Sequence, residues 1–259
     1  AAGFLDDINI LDSFKSKLIL QVLASVTVLF SGVLIDRVSL PFIGAIGLDW
    51  WGYPVTLLWV LGLTNIINFM DGLDGLAAGT ASVVTAIFGL IAISQGAAFA
   101  SVMGFVLCAA CAGFCIFNFP RAKIFMGDVG SQFLGFVLAV LGVMAAGQDT
   151  APISVFAIPL LFFHFIFDTV FTFCRRLLAR ENVTEAHRSH LYQLLNRIGW
   201  SHAQVSVLHF LAAIAQGAGA VALLTVSGAN QLLVFLPFVV MQVIYAIVVL
   251  RMAKRRGIV

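Results

Sequence analysis

Asn65-Ile-Ile-Asn68-Phe-Met-Asp71-Gly-Leu-Asp74-Gly75 sits between an apolar stretch over residues 52–68 and another over 76–94. Amides and carboxylates recur at every third position across it, and a glycine follows each aspartate. On a helix that continues past its apolar segment, this spacing puts successive members on neighbouring positions of one face. The flanks decide the fold class. A bilayer core of about 30 Å is crossed by about 17–25 apolar residues, and stretches of this kind recur near residues 17–35, 99–117, 132–147, 152–173, 205–226 and 231–250. With the two flanks they make eight expected spans, the second the shortest in apolar character because it ends in asparagines. The predicted fold is an all-α, polytopic transmembrane helix bundle, one domain over residues 1–259, with its chemistry in the connecting loops.

Composition agrees. Hydrophobic residues make up 61% of the chain and charged residues 10%, at a mean hydropathy of +1.07, far from the roughly 25% charged of a soluble domain. No soluble domain of any size fits, since the longest polar stretch runs only over residues 175–202. When the eight spans alternate, only Arg37 of the 14 lysines and arginines falls on one side, leaving 14 − 1 = 13 on the other. By the positive-inside rule that basic side is cytoplasmic. The net charge of +2 is then a topology signal and no indication of nucleic acid. Residues 251–256 read as a topogenic anchor that meets anionic headgroups. Cys108, Cys111, Cys115 and Cys174 lie in or beside spans and read as packing residues, with no disulfide framework. The opening Ala1-Ala-Gly-Phe-Leu-Asp6-Asp7 reads as loop, with no cleavable signal peptide.

Four polar loops share the basic side: residues 6–17, 65–75, 118–131 and 175–202. An acid near hydrocarbon costs about 2.5–3.5 kcal/mol at a helix centre, so acids gathered at one level invite a functional explanation. Asn65, Asn68, Asp71 and Asp74 are more than a helix cap needs. Their oxygens suit Mg²⁺, which takes one or two carboxylates plus phosphate oxygens and water, or sugar and base hydroxyls; Gly72 and Gly75 would let backbone approach a ligand. Asp6 and Asp7 are adjacent acids that either divide labour or face a metal together, unless they are simply solvated. Asp128 has glycines at 127 and 130 around it, and Phe125 suits either base stacking or the membrane interface. His187, Arg188 and His190 present donors that match phosphate oxygens; zinc is disfavoured for want of further ligands. His202 and His209 are expected to serve the start of the following helix. His164 and Asp168 form an i, i+4 pair within a span, with Arg175 or Arg176 expected to snorkel back to Asp168. The glycines of segments 135–139 and 217–221 predict close helix packing.

Four motifs in order then carry a resemblance: Gly3-Phe-Leu-Asp6-Asp7; Asn65 to Ala77; Phe117-Asn118-Phe-Pro120-Arg-Ala-Lys123-Ile-Phe125-Met-Gly-Asp128-Val-Gly-Ser131; and His187-Arg-Ser-His190-Leu-Tyr-Gln193. Here the sequence resembles the polyprenyl-phosphate N-acetylhexosamine-1-phosphate transferases, glycosyltransferase family 4. The resemblance implies ten or eleven helices, so eight spans would lack the family's first three. It implies that an inner-leaflet undecaprenyl phosphate attacks the β-phosphorus of a UDP-N-acetylhexosamine, with UMP released in a Mg²⁺-dependent step in which Mn²⁺ could substitute. By resemblance, Asn68 and Asp128 are the metal ligands, Asp71, Asp74 and Phe125 line the nucleotide pocket, and Asp6 and Asp7 are the catalytic acids near the lipid phosphate. Lys123, His187, Arg188 and His190 contact diphosphate and sugar, and Asn65 and Asn118 complete the substrate-binding set. Because His187-Arg188-Ser189-His190 replaces a run of histidines, the branch that initiates O-antigen or related polysaccharides is favoured over the peptidoglycan branch. The expected setting is the bacterial cytoplasmic membrane, active face inward, with a homodimer compatible. A nucleotide-sugar carrier is the competing class; it would place polar groups near the midplane at broken helices, often in two repeated halves.

Overall fold

The computed structural model describes residues 14–148, 152–182, 185 and 187–258; Asp6 and Asp7 lie outside them. Helix α1 spans Phe14–Phe30, followed by an antiparallel hairpin of β1 (Arg37–Leu40) and β2 (Gly44–Gly47), with Arg37 opposite Gly47. Then come α2 (Gly52–Met70), α3 (Leu76–Ser94), α4 (Ala98–Asn118) and α5 (Gly127–Ala146). Short α6 (Ala157–Leu161) precedes α7 (Phe163–Leu178), amphipathic α8 (Leu191–Ile198), α9 (His202–Ala222) and α10 (Leu236–Arg255).

Helix is the dictated solution for these apolar stretches, because within lipid every backbone N–H and C=O must be satisfied inside its own segment. Six helices among the described residues are long and apolar enough to cross a membrane: 49–70, 76–94, 98–118, 127–146, 202–222 and 228–255. The protein is a multi-pass membrane protein. Two of the eight expected spans differ. The first ends at Phe30 and not at Ile35, because the chain turns at Gly32 (φ 83°) towards the hairpin. The sixth breaks at Phe162 (φ −100°, ψ 16°) into α6 and α7.

Gln216 of α9, fully buried, closes that break. With its amide oriented to satisfy both ends, its oxygen accepts from His164 N (3.1 Å) while its nitrogen donates to Leu161 O (3.1 Å) and His164 Nδ1 (2.6 Å). One side chain thus substitutes for backbone bonds the helix gives up, which an apolar environment otherwise makes costly. Hydropathy cannot see this, since the partner lies 52 residues on.

Small residues set the tightest packing, as expected. A Cβ on Gly104 of α4 would stand 3.0 Å from Gly89 Cα of α3, and one on Gly135 of α5 would stand 2.7 Å from Thr64 Cα of α2. Without a hydrophobic driving force between helices in lipid, such backbone approach supplies the attraction through van der Waals contact. Trp59 Nε1 donates to Ala139 O (3.1 Å) across the same α2–α5 pair. Large side chains such as Leu58, Leu90, Ile116 and Ile244 face outward, as a lipid-contacting surface requires.

The ends of the bundle differ. One carries the hairpin, where Gly228 approaches Ser39 and Ser154 Oγ donates to Gln231 Oε1 (2.7 Å). At the other, the C-terminal ends of α2, α4, α7 and α10 meet the N-terminal ends of α1, α3, α5 and α9, and α8 lies across them.

Candidate active site

The site is built where α2 ends. Asp71 terminates the helix (φ −85°, ψ 46°), its N–H donating to Asn68 O at 3.2 Å. One turn earlier, Asn68 Nδ2 donates to Asp128 Oδ1 (3.0 Å) and Ser131 Oγ (2.9 Å) on the first turn of α5. Asp128 also receives Lys17 Nζ of α1 (3.2 Å) and Gln132 Nε2 (3.0 Å) on Oδ2. A carboxylate at the positive end of α5 is stabilised by the exposed N–H groups there as well. Asn65, a further turn inside, takes part in a different network: its Nδ2 donates to Gln21 Oε1 (2.8 Å) and Leu61 O (2.8 Å), while Gln21 Nε2 reaches Gln132 Oε1 (3.3 Å). Asn65 therefore braces α1 against α2 beneath the site.

After Asp71 the chain turns through Gly72-Leu73 into α3. Asp74 Oδ2 accepts from Ala122 N (3.1 Å), Oδ1 pairs with His202 Nδ1 (3.2 Å), and its carbonyl accepts from Ser206 Oγ (2.8 Å). Asn118 Oδ1 accepts from Gly75 N (2.7 Å) and its Nδ2 donates to Ile124 O (2.8 Å). These two residues stitch loop 118–126 to the start of α3 and to α9. Gly72 lines the candidate cavity, and both glycines also answer to packing. A Cβ on Gly75 (φ 74°) would reach 2.8 Å from Phe119 Cβ, and one on Gly72 would collide with Tyr192 Oη.

Asn68, Asp71, Asp74, Asn118, Phe125 and Asp128 all line one cavity of about 240 Å³. Burial, then the charge of Asp128, pushes the Asp71 carboxyl up to about 7. Two carboxylates that resist joint ionisation, beside an amide, fit a divalent cation, which would relieve that repulsion. Among the described residues no group of three or more His, Cys, Asp or Glu could hold a metal. The oxygen donors of Asn68, Asp71 and Asp128 fit Mg²⁺, which leaves coordination positions for phosphate and water. A larger cavity of about 420 Å³ lies at the hairpin end, between Asp36–Arg37 and segment 152–156. Volume does not decide between them; the converging carboxylates are in the smaller one.

Of the other expected residues that the structure describes, Phe125 belongs to the lining of this cleft, and Lys123, His187, Arg188 and His190 do not. Phe125 is 80% exposed at its rim, and Lys123 is exposed, its N–H donating to Phe117 O (2.7 Å). His187 is half-buried, its Nδ1 3.0 Å from Ser189 Oγ; burial, then His190 and Arg176, pushes it down to about 4. Arg188 is exposed, and its carbonyl accepts from Arg197 Nη1 (3.2 Å). His190 is buried as the N-cap of α8, its Nδ1 3.2 Å from Asp168 Oδ1. Tyr192 Oη brings α8 to the site by donating to Phe69 O (2.8 Å).

Arg175 and Arg176 do not neutralise Asp168 as expected. Arg175 donates to Ser189 O (2.7 Å), and Arg176 engages Glu181 (2.9 Å) and Asn182 O (2.7 Å). Asp168 is instead met by backbone amides and His190. His202 opens α9 as expected, with Ser201 as its cap, but also holds Asp74. Sequence reasoning gave no site role to Lys17, Gln21, Gln132 or Tyr192. Gln21 and Gln132 carried a signal, as amides inside predicted spans, and Tyr192 as a member of the motif over 187–193; Lys17 carried none.

A many-helix membrane protein with a polar, carboxylate-lined cleft at one end is the class that fold and site define. The chain belongs to glycosyl transferase family 4, whose sequence model matches residues 1–146. It is 37% identical to a probable undecaprenyl-phosphate N-acetylglucosaminyl 1-phosphate transferase of Bacillus subtilis (strain 168), over 80% of this chain and 57% of the relative. It is 35% identical to a decaprenyl-phosphate N-acetylglucosaminephosphotransferase of Mycobacterium leprae (strain TN), over 81% and 58%. A phospho-N-acetylmuramoyl-pentapeptide-transferase of Synechococcus sp. (strain JA-3-3Ab) is 41% identical over 51% and 39%. The chain thus spans little more than half the length of the Bacillus subtilis and Mycobacterium leprae relatives.

Proposed function

We propose that the protein transfers N-acetylhexosamine-1-phosphate from a UDP-sugar to undecaprenyl or a similar polyprenyl phosphate, as the first membrane step of a surface polysaccharide. The observation that carries this reading is the convergence of Asn68, Asp71 and Asp128 on one cavity at the end of an apolar bundle. That is where a lipid-borne phosphate and a water-borne nucleotide can meet. The basic residues beside this end support a cytoplasmic face at the inner membrane. N-acetylglucosamine is the favoured sugar, because the relatives named for it align over four fifths of the chain and the pentapeptide transferase over half.

In the reaction a lipid phosphate oxygen forms a bond to the β-phosphorus, the bond from that phosphorus to the bridging oxygen breaks, and UMP leaves with that oxygen. One diphosphate replaces another, so the equilibrium lies near unity. A phosphate nucleophile needs little deprotonation, which favours direct attack over a covalent aspartyl intermediate. Asn68, Asp71 and Asp128 would hold Mg²⁺, which supplies charge neutralisation on the diphosphate. Lys17, already on Asp128, adds positive charge at the same point. Ser131 and Gln132 fix the rotamers of Asn68 and Asp128, so the cleft needs little rearrangement. Phe125 at the rim offers a face to the uracil, and His187, Arg188 and Lys123 offer donors to phosphate and sugar. Asp6 and Asp7 are assigned to the lipid phosphate by resemblance alone. A carrier is less well supported: the cleft lies at one end, and Gln216 closes the broken helix.

The test is UMP release by membranes carrying the full-length protein, with undecaprenyl phosphate, Mg²⁺ and a panel of UDP-N-acetylhexosamines, beside Asp128→Asn. Lipid- and metal-dependent UMP from one sugar, lost in the variant, supports the reading. A folded protein that releases none from any sugar refutes it.

A further inference from the structure

Asp168 lies within α7, fully buried, and touches nothing in the cleft. Its carboxylate is nonetheless fully engaged. Oδ1 accepts from Thr172 Oγ1 (3.2 Å), His190 Nδ1 (3.2 Å) and Leu191 N (2.9 Å), and Oδ2 accepts from Tyr192 N (3.0 Å). Three of these donors are the N-cap and first two residues of α8. Asp168 therefore satisfies amides that a helix start leaves unpaired, and puts negative charge at the positive end of its dipole.

The other end of α8 is met by the opposite charge. Arg256, just past α10, donates from Nη1 to the carbonyl of Ile198, the last residue of α8. Tyr192 Oη ties the first turn to Phe69 O of α2 (2.8 Å). A helix of eight residues is too short to persist alone, for which about 12–15 are needed. This one is held from α2, α7 and the end of α10. With its proton on Nδ1, His190 donates to Asp168 Oδ1, and this contact orients the ring. His187 stacks on that ring with centroids 5.0 Å apart at 25°.

We propose that Asp168 and Arg256 are positioning residues for the transfer step, gripping α8 at its two ends so that Tyr192 holds the end of α2, which carries Asn68 and Asp71, and His190 holds the ring of His187. The inference rests on the transferase reading above. The titratable groups around Asp168 are His190 and Tyr192 from the α8 side, and His209 of α9 and Tyr245 of α10. Arg175 and Arg176 of its own helix are engaged elsewhere.

The experiment pairs amide hydrogen exchange of peptides covering residues 190–198 with UMP-release kinetics, on the full-length protein in lipid nanodiscs. Asp168→Ala should speed exchange at 191 and 192 about tenfold, as loss of a helix cap does. It should lower kcat about 100-fold, the effect of roughly 1 Å of misplacement, with KM for the nucleotide sugar changed less than about threefold, since no cleft residue is removed. Asp168→Asn keeps one acceptor oxygen and should fall between. Arg256→Gln alters only the wet end of α8, so it folds even where Asp168→Ala does not; it should loosen residues 196–198 and lower kcat with KM held. Faster exchange with kcat intact overturns the positioning role, and unchanged exchange in both Arg256→Gln and Asp168→Asn overturns the grip. A wild-type protein that releases no UMP refutes the reaction and the positioning role with it, even where exchange bears out the grip.

Discussion

Gly72→Ala separates two explanations of the same glycine. If Gly72 keeps backbone open for a ligand, alanine should harm turnover and spare the fold. The structure predicts the reverse order of causes. A Cβ at Gly72 overlaps Tyr192 Oη and would stand 3.2 Å from Cζ and 3.3 Å from Cε2. Tyr192 is completely buried, so the ring has nowhere to swing. Its hydroxyl would have to abandon Phe69 O (2.8 Å) and Gln193 Nε2 (3.1 Å). Two hydrogen bonds at about 0.5–1.5 kcal/mol each and overpacking of about 1–3 kcal/mol sum to about 2–6 kcal/mol. For a chain of this size that lowers the melting temperature by on the order of 10 °C. Tyr192→Phe loses the hydrogen bonds but removes the colliding atom, so the double variant should melt close to Tyr192→Phe alone, a coupling between touching residues as large as the Gly72→Ala cost itself, about 2–6 kcal/mol. Thermal unfolding of the detergent-solubilised protein, wild type and three variants, measures this, with UMP release followed in parallel. Strict additivity, or a Gly72→Ala protein that melts normally while losing turnover, would refute the packing account.

Further expectations concern metal, helix break and rim. Asp71, pushed up to about 7 from 3.8, is favoured in its neutral form by the metal-free fold, so that fold loses stability as pH rises from about 4 to 7. Binding a divalent cation requires the ionised form, so Mn²⁺ affinity, read by electron paramagnetic resonance, should fall about tenfold per unit as pH drops below 7; in Asp71→Asn the slope should disappear. Gln216→Leu leaves Leu161 O and His164 N unpaired at the α6–α7 break and should cost about 2–3 kcal/mol in thermal melts, with the cleft untouched. Phe125→Ala, at a residue 80% exposed, should leave melting within about 0.5 kcal/mol of wild type while raising KM for the nucleotide sugar in the UMP assay.

What was legible beforehand follows from the range of the forces involved. The apolar segments read correctly as helices because lipid forces each segment to satisfy its own backbone, a local requirement. That the loops 65–75 and 118–131 come together was legible because alternating spans bring them to one end. Asn65 was over-read: spacing by three places it on the face of Asn68, but its depth commits it to Gln21. The packing of Gly72 and Gly75 on Tyr192 and Phe119 was not legible, because nothing nearby in sequence names those residues as their neighbours.

The sequence by itself determined a multi-pass helical membrane protein, the end at which its charges gather, and the family through ordered motifs. Each of these depends on composition or on residues a few positions apart. Only the tertiary structure decided that Lys17 reaches Asp128 across 111 residues, that Gln216 closes a broken helix, and that Asp168 and Arg256 hold α8 by its two ends. The physical reason is that a buried polar group must find a partner, but its identity depends on which helices pack side by side. That choice is made by small residues and shape along whole helix faces, information no local pattern carries.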